Sequence, residues 1–388
     1  MGKQGPGDQP ADSRQAPLCV DLPGQIVFVL QGGGALGAYQ AGVYEALHDA
    51  QIEPHWVIGT SIGAINGAII AGNPREQRLE RLKQFWEQVA HRGSATAGWL
   101  PAVDDWLRNM SIMTRGIPAF FAPRPEALFG LHTSVGLEQA AFYSTEPLRE
   151  TLLSLIDFGY LNSKQTRLTV GAVSVGSGRM RYFTNRDTPL DVDHVMASAA
   201  FPPGFPSVRL EGEAWWDGGI YSNTPLEAVL DDHPRRDSVI FAVQLWPAHG
   251  PEPTSIWQAM SRQRDIQYSS RSESHLERQK QIHRLRHVIR ELEQYIPEEQ
   301  RDGAAVRELL GWGCGTTMQV IELDAPRLEG DDLHKDIDFS SSGIQRRWAA
   351  GYENTARMLE KAPWQAPPDP MEGIAVYRSD PQTDPEAG

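Results

Sequence analysis

The sequence predicts an α/β fold: a three-layer sandwich on a mainly parallel central sheet, with a helical C-terminal elaboration. Three observations point there. Short apolar runs at 26–30, 167–175 and 238–245 have the length and β-branched composition of buried strands. Stretches of helical periodicity lie between them. The connections are short, which favours right-handed crossovers with helices on both faces of one sheet.

Taken in order, residues 1–18 read as a disordered tail. After the strand at 26–30 come Gly32, Gly33 and Gly34, then Leu36, Tyr39, Val43 and Leu47 on one helix face. Val57 and Ile58 lead to Gly59-Thr60-Ser61-Ile62-Gly63, and Ile65, Ile69 and Ile70 follow among small residues. An amphipathic helix over 75–91 carries Leu79, Leu82, Phe85, Trp86 and Val89 on its apolar side. Residues 93–134 are irregular and aromatic-rich, and suit a segment packed over a core or roofing an acyl pocket. A helix follows at 146–157. The strands 167–175 and 179–184 flank a Gly-Ser-Gly turn. A small-residue helix at 191–200 ends at a proline cluster. Trp215 and Trp216 lead into Asp217-Gly218-Gly219, and a short helix is expected at 225–232.

Beyond the strand at 238–245, a long helix is expected over 255–296, with Ile282, Leu285, Ile289, Leu292 and Ile296 as its apolar stripe. Between 262 and 293 it holds eight Lys and Arg against five Asp and Glu, a modest bias that suits a solvated helix packed against the body, or else a helix that meets an anionic surface or a second copy. A strand at 318–323 and a helix at 341–361 complete the ordered chain, and 366–388 reads as a second disordered tail. The expected organisation is therefore a body at 20–250 and an extension at 251–365, either separate or part of the same core.

Composition narrows the function. The chain has 388 residues and a formal net charge of −14, which argues against a nucleic-acid binder. Cys19 and Cys314 are too far apart to define a disulfide framework or a zinc site. The N-terminus has no apolar signal core, and no apolar stretch reaches transmembrane length. A cytoplasmic protein, peripheral on a membrane at most, is expected. His283 and His287 lie one helical turn apart, but no metal-site motif frames them, and solvated helix positions are the simpler reading. No cofactor and no metal are expected.

The chemistry concentrates in three places. A serine between Gly59 and Gly63, after a strand and before a small-residue helix, has the pattern of a nucleophile elbow. The bland alternative is a helix cap. The glycines at 32–34 expose amides at a tight turn, suited to an oxygen that gains charge as an ester carbonyl becomes tetrahedral. Asp217 in its D-G-G turn is a carboxylate within reach of base chemistry, or simply a turn residue. Gly32, Gly34 and Gly37 also match a dinucleotide fingerprint, with Glu53 near the ribose-acid interval, but Glu53 precedes the second strand instead of ending it. No Gly-Lys-Ser or Gly-Lys-Thr supports a phosphate loop. A Ser-Asp-His triad would need His233, His249 or His275, none in a clear strand-end signature.

Taken in order, Gly32-Gly33-Gly34 with Gly37, Ser61 and Asp217 resemble the patatin-like phospholipase family over roughly residues 26–245. The run 197–202, together with Asn223 and Pro225, matches the segments around the family's aspartate. The resemblance implies a patatin-like catalytic domain at 20–250, with Ser61 as nucleophile and Asp217 as its dyad partner. It assigns Gly32, Gly33 and Gly34 to the oxyanion hole and Gly59 and Gly63 to the elbow. The implied substrate is a lipid acyl ester, phospholipid or lysophospholipid, met in transient contact with an anionic membrane surface. Two other functions fit the same site: an acyltransferase, and a lipid-binding protein that does no chemistry.

Overall fold

The strand β1 (Gln25–Leu30) lies inside a nine-stranded sheet because its residues are apolar on both faces. Val27 and Val29 point to one core, and Phe28 and Leu30 to the other. The computed structural model describes residues 22–91, 116–124, 134–328, 331, 333–365, 369 and 371–378. The expected tail at 1–18 lies outside these residues. So does most of the aromatic segment at 93–134, of which Phe120 and Phe121 are described.

The other strands are β2 (Trp56–Gly59), β3 (Ala122–Pro123), β4 (Tyr143–Ser144), β5 (Arg167–Ser174), β6 (Met180–Thr184), β7 (Val208–Leu210), β8 (Glu213–Asp217), β9 (Ser238–Gln244), β10 (Met318–Asp324) and β11 (Ile374–Arg378). The main sheet runs β11-β10-β9-β1-β2-β5-β8-β7, with β6 paired to β5. From β11 to β5 every pairing is parallel; β6, β7 and β8 are antiparallel additions. β3 and β4 form a separate pair.

Helices cover both faces, as a three-layer sandwich requires. The larger core packs against α1 (Ala38–Asp49), α2 (Ile62–Ala71), α3 (Arg75–Val89), α4 (Glu146–Leu155) and α5 (Val192–Ser198). The smaller core gathers Trp56, Ile58, Leu226, Leu230 and Ile240 with Leu276 of the long helix α6 (Ile256–Leu292). The last helix, α7 (Ser341–Lys361), lies against α1. The two backbones meet at Gly42, where a Cβ would stand 1.9 Å from the Trp348 carbonyl oxygen, and at Gly351, where it would stand 2.1 Å from that of Tyr39.

Three expectations need correction. The tail at 366–388 contains β11, which adds a parallel edge strand to β10. Ile374 is buried there, and Arg378 donates to Glu322 at 2.7 Å. The proline-rich, acidic sequence around these five residues conceals their strand pattern. Next, α6 does not bury the stripe expected of it. Leu285 and Leu292 are exposed, while Asp265, Ser269, Gln279, His283 and His287 face inward. That polar face is tolerated because it meets polar partners: His283 Nε2 and His287 Nε2 contact the carbonyl oxygens of Leu230 and Thr316, and Gln279 donates to Asp231. Finally, β7 and β8 form a hairpin absent from the sequence-based reading. Its turn, Glu211-Gly212, has positive φ at both residues, the geometry a two-residue hairpin needs.

The extension expected at 251–365 contributes β10 to the main sheet, paired to β9 throughout, and α7 to the larger core.

Candidate active site

The parallel register sets Leu30 beside Gly59, so the turns that leave β1 and β2 emerge side by side. Gly32 and Ser61 therefore become neighbours although 29 positions apart, and Thr60 N–H donates to the Leu30 carbonyl at 3.2 Å. Ser61 has φ 57° and ψ −125°, a strained conformation for a residue with a side chain. The flanking glycines are what make the turn fit. A Cβ on Gly59 would stand 2.2 Å from the Gly63 carbonyl oxygen, and one on Gly63 would stand 2.2 Å from that of Leu30. The Ser61 backbone N–H is held by the Ser198 carbonyl at 3.1 Å, and Ser198 Oγ donates to the Gly171 carbonyl on β5.

Asp217 ends β8 opposite Ala172 of β5. Its Oδ1 accepts from Gly219 N–H at 2.7 Å. Its Oδ2 is buried and has no hydrogen-bond partner. Burial pushes the carboxyl pKa up to about 7, opposed by the nearby Ser61 hydroxyl and the Gly219 amide. Ser61 and Asp217 border the same cavity, and among the described residues no hydrogen bond joins Ser61 Oγ to Asp217 Oδ2.

The glycine turn is clamped from behind. The Gly32 carbonyl accepts from Asn223 Nδ2 at 3.0 Å and from Trp246 Nε1 at 2.8 Å. A peptide's C=O and the following N–H point in opposite directions, so fixing this carbonyl fixes Gly33 N–H away from the two donors. Among the described residues, Gly33 N–H, Gly34 N–H and Ile62 N–H find no acceptor. Gly32 N–H differs: it donates to the Asn223 carbonyl at 3.2 Å. Of the three glycines expected to form an oxyanion hole, Gly32 therefore has its amide already engaged.

These groups line one cavity of about 270 Å³. Gly32, Gly33, Gly34, Ser61 and Asp217 all border it. Its remaining wall is largely aromatic and aliphatic, with Ile65, Phe120, Phe121, Phe205 and Phe339. Trp246, Arg264, Tyr268 and Asp336 complete it, and sequence reasoning missed all four as site residues. Trp246 had a signal, since it follows the C-terminal end of a parallel strand, where such sheets gather their ligands. The other three had none at fixed spacing.

The rival readings lose their residues here. Among the described residues no histidine lines the cavity; His233 and His249 are exposed, and His275 is half-buried outside it. Glu53 accepts from Arg78 at 2.7 Å and from Tyr44 at 3.1 Å, and contacts His48, so it is an ion-paired structural carboxylate. Its pKa is lowered: contacts with His48 and Arg78 outweigh burial, which acts the other way. No group of three or more His, Cys, Asp or Glu among the described residues is placed to hold a metal.

A family profile described as patatin-like phospholipase matches residues 28–230, more than half of the chain. The chain belongs to the patatin-like phospholipase family. A second profile, described as patatin phospholipase, matches residues 266–371, so both segments bordering the cavity carry a patatin signature. A Caenorhabditis elegans protein, the putative patatin-like phospholipase domain-containing protein M110.7, is 41% identical over 61 residues, 16% of this chain and 6% of the worm protein. VipD from Legionella pneumophila shows 14% identity at a TM-score of 0.38, over 87% of this chain and 67% of its own. ExoU–SpcU from Pseudomonas aeruginosa shows 17% identity at a TM-score of 0.32, over 88% of this chain and 52% of its own. The chain thus spans only part of each relative.

Proposed function

We propose that this patatin-like protein is a serine-dependent lipid acyl hydrolase. One observation carries the reading: an apolar cavity holds Ser61, Asp217 with an unpartnered buried oxygen, and two unclaimed glycine amides. In this reading Ser61 Oγ attacks the ester carbonyl and passes its proton to Asp217 Oδ2. A carboxyl titrating near about 7 is a far better base than one at its ordinary value near about 4. The carbonyl oxygen, now negative, meets the N–H groups of Gly33 and Gly34, whose worth is greatest for that charged species. The alcohol leaves with the proton from Asp217, and water then releases the acyl chain from Ser61 by the same steps in reverse order.

The aromatic wall suits a fatty acyl chain, since each buried methylene is worth roughly 0.8 kcal/mol. A phospholipid or lysophospholipid is the substrate class the family suggests. Phe201 lines the cavity yet is 39% exposed. An apolar residue so placed favours entry from a lipid surface. The basic bias of α6 contributes less than its count suggests. Arg262 donates to the carbonyls of Pro247 and Ala248, and Arg264, Lys280 and Arg290 are paired with Asp336, Glu277 and Glu293. No helix among the described residues is long and apolar enough to cross a membrane. A cytoplasmic enzyme that visits membranes remains the reading.

A fluorophosphonate probe, mapped by peptide mass, should label Ser61 in the folded protein. Vesicles of phospholipid or lysophospholipid should be hydrolysed, and Ser61→Ala should abolish it. Labelling elsewhere with Ser61 untouched would overturn the nucleophile assignment. Turnover of a short soluble ester only would overturn the lipid substrate alone.

A further inference from the structure

Tyr268 reaches the cavity from α6, outside the segment that holds the serine and the aspartate. Its position is set twice. The ring lies on that of Trp246, centroids 4.7 Å apart at 34°, and its carbonyl accepts from Gln31 Nε2 at 3.3 Å. Gln31 and Trp246 are the supports of the glycine turn: Gln31 Oε1 accepts from Trp246 N–H, and Trp246 Nε1 holds the Gly32 carbonyl. Tyr268 is therefore registered against the same turn that carries the Gly33 and Gly34 amides.

Its hydroxyl is unclaimed. Among the described residues no hydrogen bond engages it, whereas its polar neighbours are occupied with one another. Arg264 donates to Asp336 and, at 2.8 Å, to the Leu333 carbonyl. Burial, the first cause, holds the Tyr268 pKa above the ordinary tyrosine value, and the charges of Asp336 and Asp217 add to it against Arg264. The group therefore stays protonated, a donor rather than a base, on the wall of the cavity that Ser61 and Asp217 also border.

We propose that Tyr268 is a further catalytic residue of the hydrolysis proposed above, its hydroxyl donating a hydrogen bond to the alcohol oxygen of the ester as that oxygen leaves. The step balances without a new reagent. The Ser61 Oγ–carbon bond has formed, and its proton is on Asp217. The carbon–oxygen bond to the alcohol then breaks, its electron pair stays on the leaving oxygen, and that oxygen takes the proton from Asp217. Tyr268 keeps its own proton and stabilises the charge on the oxygen while the bond breaks. With no histidine among the described residues on the cavity wall, Asp217 serves in this reading both as base to Ser61 and as acid to the leaving group. A second donor on the departing oxygen relieves that double demand most when the alcohol is a poor leaving group.

Leaving-group dependence therefore separates this role from a structural one. Tyr268→Phe keeps the ring and its stack on Trp246. On an alkyl ester with a long acyl chain it should lower kcat/KM by about tenfold or more, the worth of one hydrogen bond to a charged oxygen. On a p-nitrophenyl ester of the same acyl chain, whose leaving group needs little help, the loss should stay within about twofold. An equal loss on both esters, or no loss on either, would overturn the proposal, and melting temperatures of the two proteins check that the fold is intact. Ser61→Ala on the same pair of esters tests the underlying hydrolase reading separately, because it should abolish both.

Discussion

The two segments that meet at the cavity are built in opposite ways. Residues 25–245 bring groups whose places are dictated by backbone: two turns side by side at parallel strand ends, a strained serine between glycines, a carboxylate at the end of a hairpin strand. Residues 256–340 bring mainly side chains: Arg264 and Tyr268 from one helix, Asp336 and Phe339 from a loop fastened by Arg347 to Asp331 and Asp338, with the Asp336 carbonyl accepting from Ala35 N–H at 2.8 Å. Within the first segment Gly34, Gly59 and Gly63 leave no room for a side chain, because each stands against a backbone carbonyl oxygen. The second is constrained by pairing and could present other side chains from the same backbone. The nucleophile, its base and the amide donors are thus expected to come from the first segment, and the leaving-group donor and adjustment to the substrate from the second.

The sharpest way to break that contrast is to remove the reacting groups. Ser61→Ala and Asp217→Asn should each lower turnover by about 10³-fold or more while circular dichroism stays native. A loss of that size from Arg264→Ala, with those two near wild type, would reverse the division. The next largest effect concerns the joint. Gly42→Val should destabilise the protein by about 3 kcal/mol in denaturant unfolding, because its side chain would enter the Trp348 backbone of α7. Since β10 continues the sheet and α7 covers α1, we also expect a fragment ending near residue 250 to unfold rather than persist. A stable, active fragment from limited proteolysis would divide the chain into two domains.

This asymmetry also explains what could be read from sequence. The glycine cluster, the elbow and the D-G-G turn were legible because glycines packed against backbone, Gly34, Gly59, Gly63 and Gly218, mark each of them. The periodicity of 341–361 was legible because one face of that helix is buried, whereas 38–49 is buried on nearly all sides and showed its apolar spacing for that reason. The inward face of α6 was not, since it buries histidine, glutamine and aspartate against polar partners, and hydrophobic periodicity is blind to that pattern. Tyr268 and Asp336 were hidden because nothing local distinguishes them. β11 was hidden because a five-residue edge strand gives little alternation to detect.

A smaller effect sharpens the role of burial at Asp217. Its carboxyl titrates near about 7 in the folded protein and near about 4 in an unfolded chain. Between these values the folded state binds more protons, so stability falls as pH rises and the full penalty is present above about 7. Asp217→Asn removes the ionising group but keeps an acceptor for Gly219. Its gain in melting temperature over wild type should be larger at about pH 8 than at about pH 5. Turnover of wild type should rise through about pH 7 as the base ionises. A variant less stable than wild type at both pH values would mean that burial does not oppose the charge.

The smallest effect is the one that closes the histidine alternative. His249 lies beyond the end of β9, and of the three downstream histidines it is the least implausible triad member by sequence. In the structure it is exposed and absent from the cavity wall, which Ser61 and Asp217 both border. A triad base must be within hydrogen-bond reach of the serine, and removing one costs orders of magnitude in kcat. His249→Ala should therefore leave kcat/KM on any ester within about twofold of wild type, the range of an ordinary surface substitution. If turnover instead collapsed while Asp217→Asn remained active, the base would come from outside the first segment. The division between a fixed chemical half and an adjustable covering half would then fail with it.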